Sequence, residues 1–125
     1  TSTFLWIVTD PARLPPRAQA MYADPANEVW LSAASAWEIA VKNRRGRLPL
    51  PGGSAPSVFV AEARRRHGIQ SLPIQEADVA MLERLPATHE DPFDRMIVCQ
   101  ALTNQMTILT PDGLIAAYPV PTAWA

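Results

Sequence analysis

Three acids in this sequence occupy positions where they could do chemistry. Asp94 stands in the run His89-Glu90-Asp91-Pro92-Phe93-Asp94-Arg95, ahead of an apolar stretch at 96–102. Asp91 and Pro92 have the types expected of a helix cap and first helical residue, since Pro has no N–H to lose there. Asp94 then falls in the first turn, beside the helix's positive end. Its positions i+4 and i+7 are Val98 and Ala101, so an acid heads a stripe that should be buried. A carboxylate there is costly unless something neutralises it. Glu38 is placed in a helix that follows a strand ending at Leu31, and Asp112 just past a strand ending at Thr110. In open α/β sheets, ligands collect beyond the carboxyl ends of strands and at helix N-termini. Convergence of Glu38, Asp94 and Asp112 at that address suits a hard divalent cation with oxygen ligands, Mg²⁺ or Mn²⁺.

Each acid also has an ordinary structural alternative. Ser35-Ala36-Trp37-Glu38 matches a capping box, Asp91-Pro92-Phe93-Asp94 has the same cap pattern, and Thr110-Pro111-Asp112-Gly113 is a common turn sequence. Asp91 is assigned as a cap, and Asp10 and Asp24 as turn acids before Pro. Other chemistries are poorly supplied. Cys99 sits among apolar helical residues as a buried thiol, and one Cys with two distant His makes no zinc site. His67 and His89 have no evident catalytic partner, no glycine-rich phosphate loop is present, and the aromatics, including four Trp, are expected in the core. Basic residues follow Glu38 (Lys42, Arg44, Arg45, Arg47) and recur at Arg64-Arg65-Arg66. They are either solvated helix ends or contacts for a phosphate backbone, and Arg95 is either a phosphate contact or an ion-pair partner at its helix start.

The elements that must position these residues alternate. Helical spacing is read over 1–8, from 15 or 16 to 23, and over 32–42, 58–67, 76–85, 92–104 and 114–118. Strands are read over 28–31, 69–74 and 106–110, with loops at 48–57 and 111–113 and a Pro-spaced tail. In 76–85 the residues expected to face inward are Val79, Leu82 and Leu85. Strands alternating with helices indicate an α/β fold with a mainly parallel sheet. A chain of 125 residues, 48% hydrophobic, suits one domain with a real core. The net charge of -1 gives no global pull toward nucleic acid, and no apolar run reaches membrane-spanning length. One Cys excludes a disulfide framework and fits a reducing, cytoplasmic compartment.

The succession TSTFLW, LSAASAWEIAVK, DPFDRMIVCQA and ILTPD resembles the PIN-domain ribonucleases, specifically VapC-like toxins of bacterial toxin–antitoxin pairs, over residues 1–120. The resemblance implies a three-layer α/β/α sandwich with a mainly parallel central sheet and a metal-dependent endoribonuclease activity. It carries the acidic site onto Glu38, Asp94 and Asp112, with Thr110 as the accessory hydroxyl. Arg95, Lys42 and Arg45 are the substrate contacts then expected. The implied partners are RNA, a cognate antitoxin protein and a second copy of the chain. The family's first acid is an Asp that ends the first strand and is followed at once by a Thr. Here that Thr is Thr1, so the domain as given is expected to lack its first strand and fourth acid. Two other functions use the same residues. One is a PIN-fold binding module without catalysis, and the other is a metal-dependent phosphatase or DNA nuclease.

Overall fold

The computed structural model describes residues 1–125. Helix α1 (Ser2–Thr9) is followed by α2 (Pro16–Ala23), and Pro16 supplies the N-terminal φ that a first helical residue needs. Strand β1 (Trp30–Ser32) runs without a loop into α3 (Ala33–Arg44). Ser32 makes that junction possible, because it is both the last strand residue and the N-cap, its side chain accepting from Ala34 N–H at 2.9 Å. Helix α4 (Pro56–His67) ends at Gly68, whose φ of 64° is the left-handed cap that releases the chain into β2 (Gln70–Leu72). Then come α5 (Glu76–Met81), α6 (Pro92–Asn104), β3 (Ile108–Leu109), α7 (Gly113–Ala116) and β4 (Thr122–Ala123).

The fold is α/β, with helices dominating and all strand pairing parallel. β1 pairs with β2 in the register Trp30↔Gln70, Leu31↔Ser71, Ser32↔Leu72, and β3 pairs with β4 as Ile108↔Thr122, Leu109↔Ala123. Parallel neighbours need crossovers, and α3 with α4 provides the first while α7 provides the second.

The hydrophobic residues close three clusters. Phe4 of α1, Leu31, Ile39 of α3, and Phe59, Val60 and Ala63 of α4 form the first. Val98, Cys99 and Ala101 of α6 pack with Leu85, Ile115, Tyr118 and Val120 in the second. Ile7, Leu14 and Ala18 form the third, against Trp6 and Trp124. A polar tie holds α6 to β1 and β2. The fully buried Gln100 side chain accepts from the Ser32 hydroxyl and donates to the carbonyls of Leu72 (3.3 Å) and Pro73 (3.1 Å).

A cavity of about 560 Å³ lies between the two strand pairs. Leu31 and Leu109 line it from the strands, Phe4 and Ile7 from α1, and Ile97 and Ala101 from α6. Val29 C=O accepts from Gln70 N–H at 2.8 Å, and Ile108 and Thr110 donate to Pro121 and Ala123. Strand alternation therefore turns the backbone groups of Trp30 and Leu109 away from β2 and β4, toward the cavity they line. There the Leu109 carbonyl is met by a side chain, the Thr3 hydroxyl at 2.8 Å.

Several elements depart from expectation. Residues 76–85 split into α5 and a 3-10 turn at Leu82–Arg84, and Val79 is 49% exposed rather than inward, although Leu85 is buried. In α1, where the sequence sets Phe4, Leu5 and Val8 at helical spacing, the buried residues are Phe4 and Ile7, with Leu5 and Val8 only partly buried. The tail supplies β4, which no alternation signal announced. Among the Trp residues expected in the core, Trp37 is 58% exposed.

Candidate active site

The start of α6 is built as its residue types dictate. Asp91 is the N-cap, accepting from the N–H groups of Phe93 (2.9 Å) and Asp94 (3.0 Å), with Pro92 at the first helical position. This leaves the Asp94 carboxylate free to meet His89, its Oδ2 lying 2.9 Å from Nε2 in a part-buried pair. Asp112 caps α7, accepting from Leu114 N–H at 2.9 Å, while Thr110 Oγ1 accepts from Asp112 N–H at 3.1 Å. The ligating atoms of His89, Asp94 and Asp112 all lie within 4.8 Å of one another.

Glu38 is 5% exposed and lies well inside α3, whose cap is Ser32. The capping-box alternative for Ser35 and Glu38 is therefore set aside: both residues are already helical. The Glu38 carboxylate instead accepts from the Thr1 hydroxyl at 2.5 Å and from Lys42 Nζ at 2.7 Å, one turn along. It stands outside the His89–Asp94–Asp112 cluster, but its field reaches Asp94.

Burial pushes the Asp94 carboxyl above the usual carboxylate range, and the negative charges of Asp91 and Glu38 add to this against the opposing His89 hydrogen bond. His89 is shifted upward, chiefly by that same bond, with the charges of Asp94, Asp91 and Asp112 contributing. Four carboxylates and one imidazole thus share one electrostatic neighbourhood. Across an octahedral Mg²⁺ with oxygen ligands at about 2.1 Å, opposite donors are about 4.2 Å apart. The carboxylates of Asp94 and Asp112 are gathered at about that spacing, with the His89 nitrogen beside them, so two of the oxygen ligands such an ion needs are already close.

The basic residues divide. Arg95 Nη1 donates to the carbonyls of Pro86 (2.9 Å) and His89 (3.4 Å) and lies 3.2 Å from the Tyr118 hydroxyl, which itself donates to His89 C=O at 3.1 Å. The segment carrying His89 is thereby pinned from two sides. Arg64 is structural, donating to Gln70 C=O at 2.6 Å and Leu31 C=O at 3.3 Å. Arg45, at the end of α3, is exposed.

His89 was the residue that spacing arguments passed over. It lies two positions before the cap of α6, and residues just ahead of a cap commonly fold back over the first turn. That habit is the signal that pairs it with Asp94.

Comparison with known proteins decides the family: the PIN domain matches residues 1–120. The chain belongs to the PIN domain family. Over 62 residues it is also 44% identical to a protein named Ribonuclease VapC16 from Mycobacterium tuberculosis (strain ATCC 25618 / H37Rv). That alignment covers 50% of this chain and 43% of the relative, so the chain spans less than half the length of the protein it matches. No solved structure matches. Within this PIN domain, Asp94 lies in the first turn of α6, Asp112 caps the helix that follows β3, and Glu38 lies inside the helix that follows β1.

Proposed function

We propose that this chain is a metal-dependent endoribonuclease that hydrolyses RNA phosphodiester bonds as the toxin of a toxin–antitoxin pair. The observation that carries it is the convergence of Asp94, Asp112 and His89 within 4.8 Å, with buried Glu38 nearby, in a PIN domain similar to a named ribonuclease. Asp94, Asp112 and Glu38 would hold Mg²⁺ or Mn²⁺, which when bound supplies Lewis acidity at the phosphate and lowers the pKa of a water nucleophile. The remaining work falls to the chain's own groups. Thr110 fixes the Asp112 backbone, and Lys42 orients Glu38. Lys42 and Arg45 offer positive charge to the phosphate backbone, and Arg95, whose Nη1 is engaged with Pro86 and His89, offers Nη2. No helix is long and apolar enough to cross a membrane. A cognate antitoxin, a homodimer and a cytoplasmic location complete the proposal.

The same proposal extends to the fold. The full domain would be a single three-layer α/β/α sandwich, with one further strand inserted between β1 and β3. What supports it is the cavity itself, which both strand pairs face with backbone edges that have no neighbouring strand. The carboxyl ends of β1 and β3 both lead to the acids, so a parallel insertion would end beside Glu38 and could bring a fourth carboxylate.

The test is cleavage of RNA by the full-length protein with Mg²⁺ or Mn²⁺, compared with single-stranded DNA and a small phosphoester. RNA should be the preferred substrate, activity should vanish with a chelator, and Asp94→Asn should abolish it. Undiminished cleavage by Asp94→Asn would remove Asp94 from the site, and preferential turnover of DNA or the phosphoester would replace the ribonuclease assignment.

A further inference from the structure

Trp37 is the largest side chain that this fold leaves in solvent, at 58% exposure. It is not a loose surface residue. Its ring meets Phe93 edge-to-face, with centroids 4.7 Å apart and an interplanar angle of 84°. Trp37 immediately precedes Glu38 on α3, and Phe93 immediately precedes Asp94 on α6. One aromatic pair therefore bridges the two helices at the point where each presents its acid. Trp37, Val41 and Arg44 share a stripe of α3, with Arg45 beside it, and both Arg residues are exposed. Those cations lie about 10 Å along the helix axis from Trp37, within reach of a neighbouring phosphate.

A largely exposed aromatic side chain, held in place beside the candidate metal-binding cluster and followed by cations, has the parts of a single-strand nucleic-acid platform. We propose that Trp37, buttressed by Phe93, is the platform on which an unpaired RNA base stacks next to the scissile phosphate. A duplex keeps its bases stacked on one another and offers no free face. The proposal rests on the ribonuclease assignment above and adds the residue that holds a base beside the cleaved bond.

Binding can be read without cleavage in an Asp94→Asn background, by titrating a short single-stranded RNA and the same RNA annealed to its complement. Single-stranded RNA should quench tryptophan fluorescence and the duplex should not. Adding Trp37→Ala should raise the Kd for the single strand about tenfold to a hundredfold, the range set by losing one stacked base. Adding Trp37→Phe should keep the Kd within a few-fold while removing most of the quenching, a separation that a merely structural role would not produce. Unchanged Kd in a Trp37→Ala protein that remains folded by circular dichroism would overturn the platform and leave the face to a protein partner. Failure of the Asp94→Asn parent to bind either RNA while the unsubstituted protein cleaves RNA with Mg²⁺ would overturn the platform alone, and absence of both binding and cleavage would overturn the ribonuclease assignment.

Discussion

Asp91 and Asp94 stand three residues apart at one helix start, and the structure gives them opposite roles that a pair of substitutions can separate. Asp91 accepts two backbone N–H groups, those of Phe93 and Asp94, at 2.9 and 3.0 Å. Asp91→Ala removes both and should cost about 1–2 kcal/mol of stability, the usual worth of an N-cap. In a domain of this size that is a fall in Tm of about 4–8 °C. Asp91→Asn keeps the acceptor and should stay within about 0.5 kcal/mol of the parent. Asp94→Asn acts differently. Its carboxyl is disfavoured by burial and by the charges of Asp91 and Glu38, so neutralising it should leave metal-free stability unchanged or raised. The metal response is where it should fail. With Mg²⁺ or Mn²⁺ at ten times Kd, a protein that binds only when folded gains about 1.4 kcal/mol. Parent and Asp91→Ala should both show that gain, and Asp94→Asn should show almost none. Urea unfolding with and without metal reads every arm, with a constant m-value as the check for two-state behaviour. A full metal response in Asp94→Asn, or its loss in both Asp91 variants, would refute the division of roles.

Two further outcomes follow from contacts elsewhere. His89 is shifted upward by Asp94, so its contribution to stability is complete below its unfolded value of 6.5 and is lost as pH rises through the higher folded value. Asp94 is also shifted upward, and it too makes the metal-free protein less stable as pH rises from its unfolded value of 3.8. Thermal melts in chelator should therefore decline with pH above about 6.5, and His89→Asn should flatten that decline; an unaltered slope in the variant would exclude the pair as its origin. Gln100→Ala should destabilise by about 2–4 kcal/mol in urea, since it opens a cavity and strands the carbonyls of Leu72 and Pro73 and the Ser32 hydroxyl. A loss below about 1 kcal/mol would show that water replaces the amide without penalty.

Much of the architecture was readable because punctuation and period agreed. Asp91-Pro92 marks the start of α6, Gly68 its position after α4, and Ser32 the junction of β1 with α3, and each sits where its side-chain chemistry requires. The failures have equally local causes. Val79 lies at helical spacing, but α5 turns inward the side of Asp78, which is buried and accepts from Gln75 N–H and the Thr103 hydroxyl, and Val79 is left 49% exposed. β4 is two residues long and flanked by Pro121, and its only specification is the ladder offered by β3, a partner distant in sequence.

The site was legible in part for the same reason. The candidates Asp94 and Asp112 are brought together as their helix-start positions suggest, while Glu38, inside α3, stands outside their cluster. His89 and Trp37 could not be placed, because what distinguishes them is created by contact. His89 becomes part of the site when Arg95 and Tyr118 draw its carbonyl in and set its ring against Asp94. Trp37 is separated from an ordinary core tryptophan only by the packing of α3 against α6, which sets Phe93 at right angles to its ring and leaves the residue 58% exposed. An amphipathic pattern predicts that a large aromatic will find a partner. In this fold the partner covers only part of it, beside the acids. That incomplete burial is what makes an apolar residue available to a substrate, and composition alone carries no trace of it.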